Sequence, residues 1–356
     1  MQKESPQIYV SEYFRQFIKA SVSGRRLTPS CKRITAGTIA NYRYAQKLLL
    51  EFETKSGNPL RIQLLHRASM RTLQKEKNYW ARFYMQFSAF LYKEKGYFDN
   101  YVLSVFKILK CFFNYLQNEK GFSVGNYHKS FRTPLQKTST VVLQPERLQY
   151  LITDEAFEAT LSPYLKRVKD IFVFGCTVAL RVSDLMNLQK KNLVYSGSDT
   201  YLELFTQKTG TQVKIPLPGY AMQIIKRYKV KAKYILPRLS VSNFNIQIKK
   251  LIEKAGWNHP LSKTISKQGK LTEVKDHNGK TWCFHQHITA HTMRRTAITT
   301  LLIMGVPEMV VRKISGHAPG SKEFYRYVSV AEDYMNQEVK NAHKKLVETD
   351  YKLQLK

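Results

Sequence analysis

"AHTMRRTAITTLLIMGVPEMVVRKISGHAPGSKEFYRYVSV", residues 290–330, holds two histidines, four arginines and two tyrosines in one stretch. His291 and Arg294 stand three apart, so on a helix their side chains share a face. Gly305 interrupts the apolar period. Pro307 is well placed to open the next helix, because its missing N–H and fixed φ suit a first turn. Two different proteins fit this stretch. One is a helix, a glycine turn and a second helix, as in a DNA-reading helix-turn-helix regulator or architectural binder. The other is a reaction centre that gathers His291, Arg294, His317 and a tyrosine.

Composition narrows the choice of partner. A chain of 356 residues exceeds one small core, so two domains are expected. An apolar fraction of 43% excludes wholesale disorder. Lys+Arg 58 against Asp+Glu 26 gives +32, a surplus that repels itself unless a polyanion offsets it. Residues 1–140 carry 24 basic and 8 acidic side chains, or +16, which leaves +16 for the remainder. Both halves are basic, which suits a protein that surrounds nucleic acid better than one with a basic tail. A generic binder of ribosomes or anionic membranes is the bland alternative. Cys31, Cys111, Cys176 and Cys283 lie far apart without C-x-x-C pairs, as in a reducing compartment. The opening "MQKESPQIYV" lacks a signal-peptide core, and the apolar run "IFVFGCTVAL" (171–180) is too short to span a bilayer. A soluble cytoplasmic protein with no membrane partner is expected.

The periodicities predict a mostly α protein with small β-hairpins. In "TIANYRYAQKLLLEFE", Ile39, Tyr42, Ala45, Leu49 and Phe52 recur at three and four, with Arg43 and Lys47 on other faces. "YWARFYMQFSAFLYKEKG" and "YVLSVFKILKCFFNYLQNEKG" repeat the pattern, and each ends at a glycine after lysines. These helices suffice for a bundle over residues 1–130 whose basic faces could lie on DNA phosphates, with Arg43 and Lys47 as candidate contacts. Residues 131–144 read as a polar linker. A second domain, 145–334, opens with "PERLQYLITDEAFEATL" and continues in a helix from about 163 to 189. "TYLELFTQKTGTQVKIPLPG" alternates, turns at Lys208-Thr209-Gly210 and alternates again, as a hairpin does. "LTEVKDHNGKTWCF" suggests another hairpin around Asn278-Gly279. The tail 335–356 is helix-like.

The order of the chemistry-bearing residues decides between the two readings. Arg181 follows an apolar helix, Lys208 sits at a hairpin tip, and His291-x-x-Arg294, Gly316-His317 and a tyrosine follow. No one of these motifs is diagnostic. As an ordered set in a basic chain they resemble the tyrosine recombinase (phage-type integrase) family, most strongly over 171–190 and 288–330.

That resemblance implies a C-shaped clamp on double-stranded DNA, a helical core-binding domain joined to a catalytic one. It also implies a homotetramer on two recombination sites, sequential strand exchange and a Holliday-junction intermediate. Accessory DNA-bending proteins are possible partners. The roles it implies make physical sense. Arg181 and Arg294 present guanidinium donors to the nonbridging oxygens of a phosphodiester, whose transition state spreads further charge over them. A tyrosine hydroxyl, with an ordinary pKa of about 10, is a poor nucleophile at neutral pH, so His291 is positioned to exchange its proton. Lys208, or alternatively Lys214 on the returning strand, protonates the leaving 5′ oxygen. His317 donates to the phosphate. The 3′-phosphotyrosyl product conserves bond energy, so neither ATP nor a metal cofactor is expected.

The chain departs from the family pattern in two places. Ala179 stands two residues before Arg181, where a glycine is usual. The family's nucleophile falls nine residues after the Gly-His histidine, which here is Arg326, between Tyr325 and Tyr327. Tyr327 directly precedes Val-Ser-Val, as the family tyrosine precedes a short apolar-polar-apolar run, and it is the preferred nucleophile over Tyr325. A mobile-element integrase or transposase fits better than a chromosome-dimer resolvase. A nicking-closing topoisomerase would share the chemistry without needing partner sites. Cys283, His285, His287 and His291 could be read as metal ligands, but no second ligand group lies nearby at finger spacing.

Overall fold

In a computed structural model the chain is mostly helical with small antiparallel sheets. The structure describes residues 6–136, 140–228 and 233–353, the last seven as backbone only. Residues 1–5, residues 137–139 of the expected linker and residues 354–356 of the tail lie outside the described residues.

β1 (Gln7–Tyr9) leads into α1 (Val10–Ser23), followed by α2 (Ala36–Ser56), β2 (Arg61–Gln63), α3 (Met70–Ala89) and α4 (Asp99–Asn118). Side-chain caps start two of these helices: Thr35 accepts from Thr38 N at 3.3 Å, and Ser69 from Thr72 N at 3.2 Å. The helices close on an aromatic core of Phe14, Phe17, Trp80, Phe87, Phe112 and Phe113. Ile39, Tyr42, Ala45, Leu49 and Phe52 turn toward it as their spacing predicts. Arg43 and Lys47 are exposed.

The second half runs α5 (Pro145–Thr153), α6 (Glu155–Thr160), α7 (Pro163–Val178), α8 (Val182–Leu185), β3 (Leu193–Ser196), β4 (Asp199–Phe205), β5 (Gln212–Pro216), α9 (Gly219–Arg227) and α10 (Val241–Lys254). After β6 (Lys263–Lys267) and β7 (Lys270–Val274) come α11 (Phe284–His287), α12 (Ala290–Ile303), α13 (Glu308–Ser315) and α14 (Lys322–Leu353). β4 and β5 form the expected hairpin, with Leu202 opposite Ile215. β3 adds a third strand that the sequence reading lacked. α7 and α12 approach closely at Gly175, where a Cβ would lie 2.3 Å from Met293 Sδ.

Several expectations need correction. The helix expected over 163–189 is two helices, because Ala179 adopts a left-handed φ of 55° that ends α7. The Asn278-Gly279 segment is not a hairpin. Asp276 Oδ1 accepts from both Asn278 N and Lys280 N at 2.9 Å and closes a local turn. "LTEV" belongs instead to β7, whose partner β6 precedes it across Gln268-Gly269. The expected linker is anchored at both ends, with Phe131 in the first core and Leu143 in the second.

The chain divides into two compact units, residues 1–138 with 264–274, and 139–263 with 275–356. The β6–β7 hairpin therefore belongs with the first half, against the contiguous second domain expected from the sequence. The fully buried Asp99 explains why. Its carboxylate accepts from Tyr92 Oη at 2.7 Å, Gln268 N at 2.8 Å, Gly269 N at 2.9 Å and the Ser266 hydroxyl. A buried carboxylate needs such donors, and the hairpin provides three of them.

The tail has no boundary at residue 335. α14 is one helix from Lys322 to Leu353, and Tyr334 on it donates to Glu146 of α5. No described helix is long and apolar enough to cross a membrane.

Candidate active site

The site is organised by the break at Ala179. A left-handed residue turns its carbonyl away from the helix axis, and here that oxygen accepts from Arg294 Nη1 at 2.8 Å. Arg294 is a large side chain only 2% exposed, so its guanidinium points into the protein. Burial, then the charge of Arg181, lowers its pKa to about 10, against the favourable effects of Tyr327 and Asp184. It remains a cation at neutral pH.

Arg181 emerges two residues after the break, at the start of α8, with Nη1 buried and unpartnered among the described residues. It does not pair with Asp184. Asp184 Oδ1 accepts from Gln207 N at 2.9 Å, which ties α8 to the tip of the β4–β5 hairpin. Thr206, Thr209 and Thr211 close that tip through their hydroxyls. Lys208 projects from it, exposed, and its charge reaches His291. Lys214, the alternative, places Nζ 4.4 Å from the centroid of Tyr201 on the strand instead.

α13 ends at Gly316, whose φ of 64° favours glycine and where an added Cβ would meet Thr206 and Val213. His317 follows. Its Nδ1 is 2.8 Å from Ser315 Oγ, and that buried hydroxyl is also 2.6 Å from the Val311 carbonyl. A carbonyl can only accept, so counting donors and acceptors sends the hydroxyl proton to Val311 and makes His317 Nδ1 the donor. Nε2 then carries the lone pair. Arg294 Nη2 lies 3.2 Å from Nδ1 and 3.1 Å from Nε2, across the ring. Burial, followed by Arg294, Arg181, Arg312 and His291, pushes the His317 pKa down to about 3. His291 stays exposed at its edge. Surrounding protein atoms, then Arg295, Arg294, Arg181 and Lys208, push its pKa down to about 4. Both imidazoles are neutral at pH 7.

The two tyrosines part company here. Tyr327 is 6% exposed, packs its ring edge-on to His317 at 5.8 Å and has side-chain contact with Arg294. Tyr325 is 53% exposed and lies under Arg312, 4.9 Å from the guanidinium carbon. Arg181, Arg294, His291, His317, Lys208 and Tyr327 are thus held around one space by α7–α8, the hairpin, α12, α13 and α14. Ser315 and Arg295, a second cation whose charge reaches Tyr327, were absent from the sequence reading. Their only signals were a serine two before His317 and a doubled arginine.

The metal alternative finds no support in the geometry. His287 turns Nε2 to the Leu261 carbonyl at 2.8 Å, Cys283 caps α11, and no cluster of three potential ligands occurs among the described residues. Two guanidiniums, an ammonium and two neutral imidazoles can instead receive a phosphate diester beside a phenol.

Comparison with known proteins gives the family and the fold. The model of the phage integrase family matches residues 155–333. Tyrosine recombinase XerC of Pelotomaculum thermopropionicum is 26% identical over 226 residues, 62% of this chain and 68% of that protein. A lambda integrase tetramer bound to a Holliday junction superposes with a TM-score of 0.56 at 14% identity, covering 91% of this chain and 78% of that one. The Tn1549 transposon integrase in complex with transposon right end DNA gives 0.56 at 15%, covering 93% and 99%. The helix-turn-helix regulator is set aside on these grounds. With half of its length matched by the family model, this chain belongs to the phage integrase family of tyrosine recombinases, enzymes of site-specific DNA recombination.

Proposed function

We propose that Tyr327 Oη attacks a phosphodiester of duplex DNA, forming a 3′-phosphotyrosyl bond and releasing a 5′ hydroxyl. Attack by the 5′ hydroxyl of another strand then reverses the step and frees the tyrosine. One observation carries this reading: Tyr327, not Tyr325, is the tyrosine buried against His317 and Arg294.

Arg181 and Arg294 hold the nonbridging oxygens, and the unpartnered Nη1 of Arg181 is a donor ready for one of them. His291, neutral at pH 7, takes the tyrosine proton, and the bound phosphate offsets the cations that depress its pKa. Lys208 protonates the leaving 5′ oxygen. His317 begins with a bare Nε2, so it donates to phosphate only after gaining a proton there. The energy of the broken bond is kept in the phosphotyrosine, so religation proceeds without ATP or a metal.

The substrate is double-stranded DNA at paired recombination sites of a mobile element, bound by a homotetramer and aided by DNA-bending proteins. The solved transposon integrase and the lambda tetramer on its junction support this by likeness of fold. Arg43 and Lys47, exposed on α2, add phosphate contacts, and the α14 tail seats on a neighbouring subunit. Activity is placed in the cytoplasm.

The test is a nicked suicide duplex incubated without magnesium and scored for a denaturant-stable adduct. The adduct is expected with the wild type and with Tyr325→Phe, and not with Tyr327→Phe. An adduct that survives Tyr327→Phe and disappears with Tyr325→Phe would reverse the assignment. Removing residues 335–356 is expected to abolish synapsis of two sites.

A further inference from the structure

We propose that Lys249, Lys263 and Trp282 form a seat for a backbone phosphate of DNA, built from none of the residues around Tyr327. The inference rests on the DNA-cleaving function above and adds a contact that holds the duplex without touching the reacting bond.

Lys263 Nζ stands 3.8 Å from the centroid of the Trp282 ring, and Lys249 Nζ, from α10, stands 5.8 Å from it. His287 packs beside the same ring at 5.3 Å. The chain brings these groups together by local pairing. Leu261 N donates to the Trp282 carbonyl at 2.7 Å, and His287 Nε2 donates to the Leu261 carbonyl at 2.8 Å. The loop entering β6 is thereby pinned beside α11, and Lys263 is delivered onto the indole.

What the cluster lacks is a counter-charge. Both lysines are half-buried, and neither forms an ion pair with a described carboxylate. Lysine is seldom withdrawn from water unless paired, and an indole face compensates only in part. Burial, then the charge of Lys249, depresses the Lys263 pKa, and no carboxylate acts against them. Trp282 Nε1 is a further donor, buried without a partner among the described residues. Two ammonium groups beside one ring more than offset the single negative charge of a backbone phosphate, whose two nonbridging oxygens can each accept from one lysine. The flat indole suits the adjoining sugar. In a chain of +32 that acts on DNA, the backbone of the duplex is the occupant that fits.

The test is the salt dependence of binding to a nonspecific DNA duplex. Each neutralised phosphate contributes about 0.9 to the slope of log K against log salt, so Lys249→Ala/Lys263→Ala, which empties a one-phosphate seat, is expected to lower the slope by about 0.9. Lys249→Arg/Lys263→Arg should restore it, which separates loss of charge from misfolding. The rate of adduct formation at saturating protein and low salt should not change. An unchanged slope in the alanine variant, with a normal wild-type slope, would overturn the seat and leave the recombinase reading intact. Loss of stabilisation by inorganic phosphate in a thermal melt, with the full DNA slope retained, would mark a free-anion site and also overturn it. A wild type with no salt-dependent DNA binding would sink both.

Discussion

Arg294 lies across the imidazole of His317, with Nη2 3.1 Å from one ring nitrogen and 3.2 Å from the other. A cation held on the ring opposes a second positive charge, and burial adds to the effect. His317 at about 3 and His291 at about 4 both fall below the ordinary histidine value of about 6.5. Below that ordinary value the unfolded chain therefore binds more protons than the folded one. Stability is complete above it and declines as pH falls toward 4. The melting temperature is expected to drop by several degrees between pH 7.5 and pH 5, less steeply in His317→Gln. Bound duplex should flatten the fall, since phosphate charge raises both folded values. An identical pH profile in His317→Gln and the wild type would contradict this.

Ser315 holds the His317 Nδ1 proton and so selects which nitrogen faces the site. Ser315→Ala removes one hydrogen bond worth about 1 kcal/mol, equivalent to about fivefold in the population of the productive ring orientation. Adduct formation at saturating DNA should slow by about that factor with its pH profile displaced. Ser315→Thr, which keeps the hydroxyl, should recover most of the rate.

Gly175 and Met293 set the spacing of α7 against α12. In Gly175→Ala the new Cβ would lie 2.3 Å from Met293 Sδ and 3.1 Å from Leu185, so the methionine must move. Overpacking of this kind costs about 1–3 kcal/mol. Because Arg294 is the next residue, cleavage should fall as well. Adding Met293→Ala should recover part of both losses, as expected for contacting residues in a double-mutant cycle measured by denaturant melts.

Ala179 holds a left-handed backbone at the point where its carbonyl meets Arg294. Ala179→Gly relieves about 1–2 kcal/mol of backbone strain. Against this stand the loss of a buried methyl, about 0.8 kcal/mol, and the freer unfolded chain, about 0.4–1 kcal/mol. The melting temperature and the cleavage rate should therefore stay close to wild type. Ala179→Val has no such compensation, and should lower both.

The sequence carried the helical first half because Tyr42, Ala45, Leu49 and Phe52 bury one stripe. It also carried the residues that the structure gathers beside Tyr327, because Arg181, His291, Arg294 and His317 follow an ordered spacing. It did not show the break at Ala179, since no propensity places alanine at positive φ and only the tertiary bond to Arg294 compensates it. Nor could spacing separate Tyr325 from Tyr327. A step of two residues along a helix turns the side chains about 200° apart, and Arg312 packs on Tyr325 at the solvent side. The ownership of β6 and β7 was hidden for a different reason: the partner that fixes them, Asp99, lies some 170 residues upstream.

That distance has a consequence for how the protein is made. Residues 1–138 leave the ribosome first and hold most of the first core, yet three of the four donors to Asp99 emerge only with residues 266–269. Until then the nascent first half carries a carboxylate that must stay hydrated, so its last packing step waits while more than a hundred residues of the second half are already exposed. Final consolidation of the amino-terminal half is thus tied to translation of the enzyme's middle, and a gene fragment ending at the apparent linker encodes an incomplete fold.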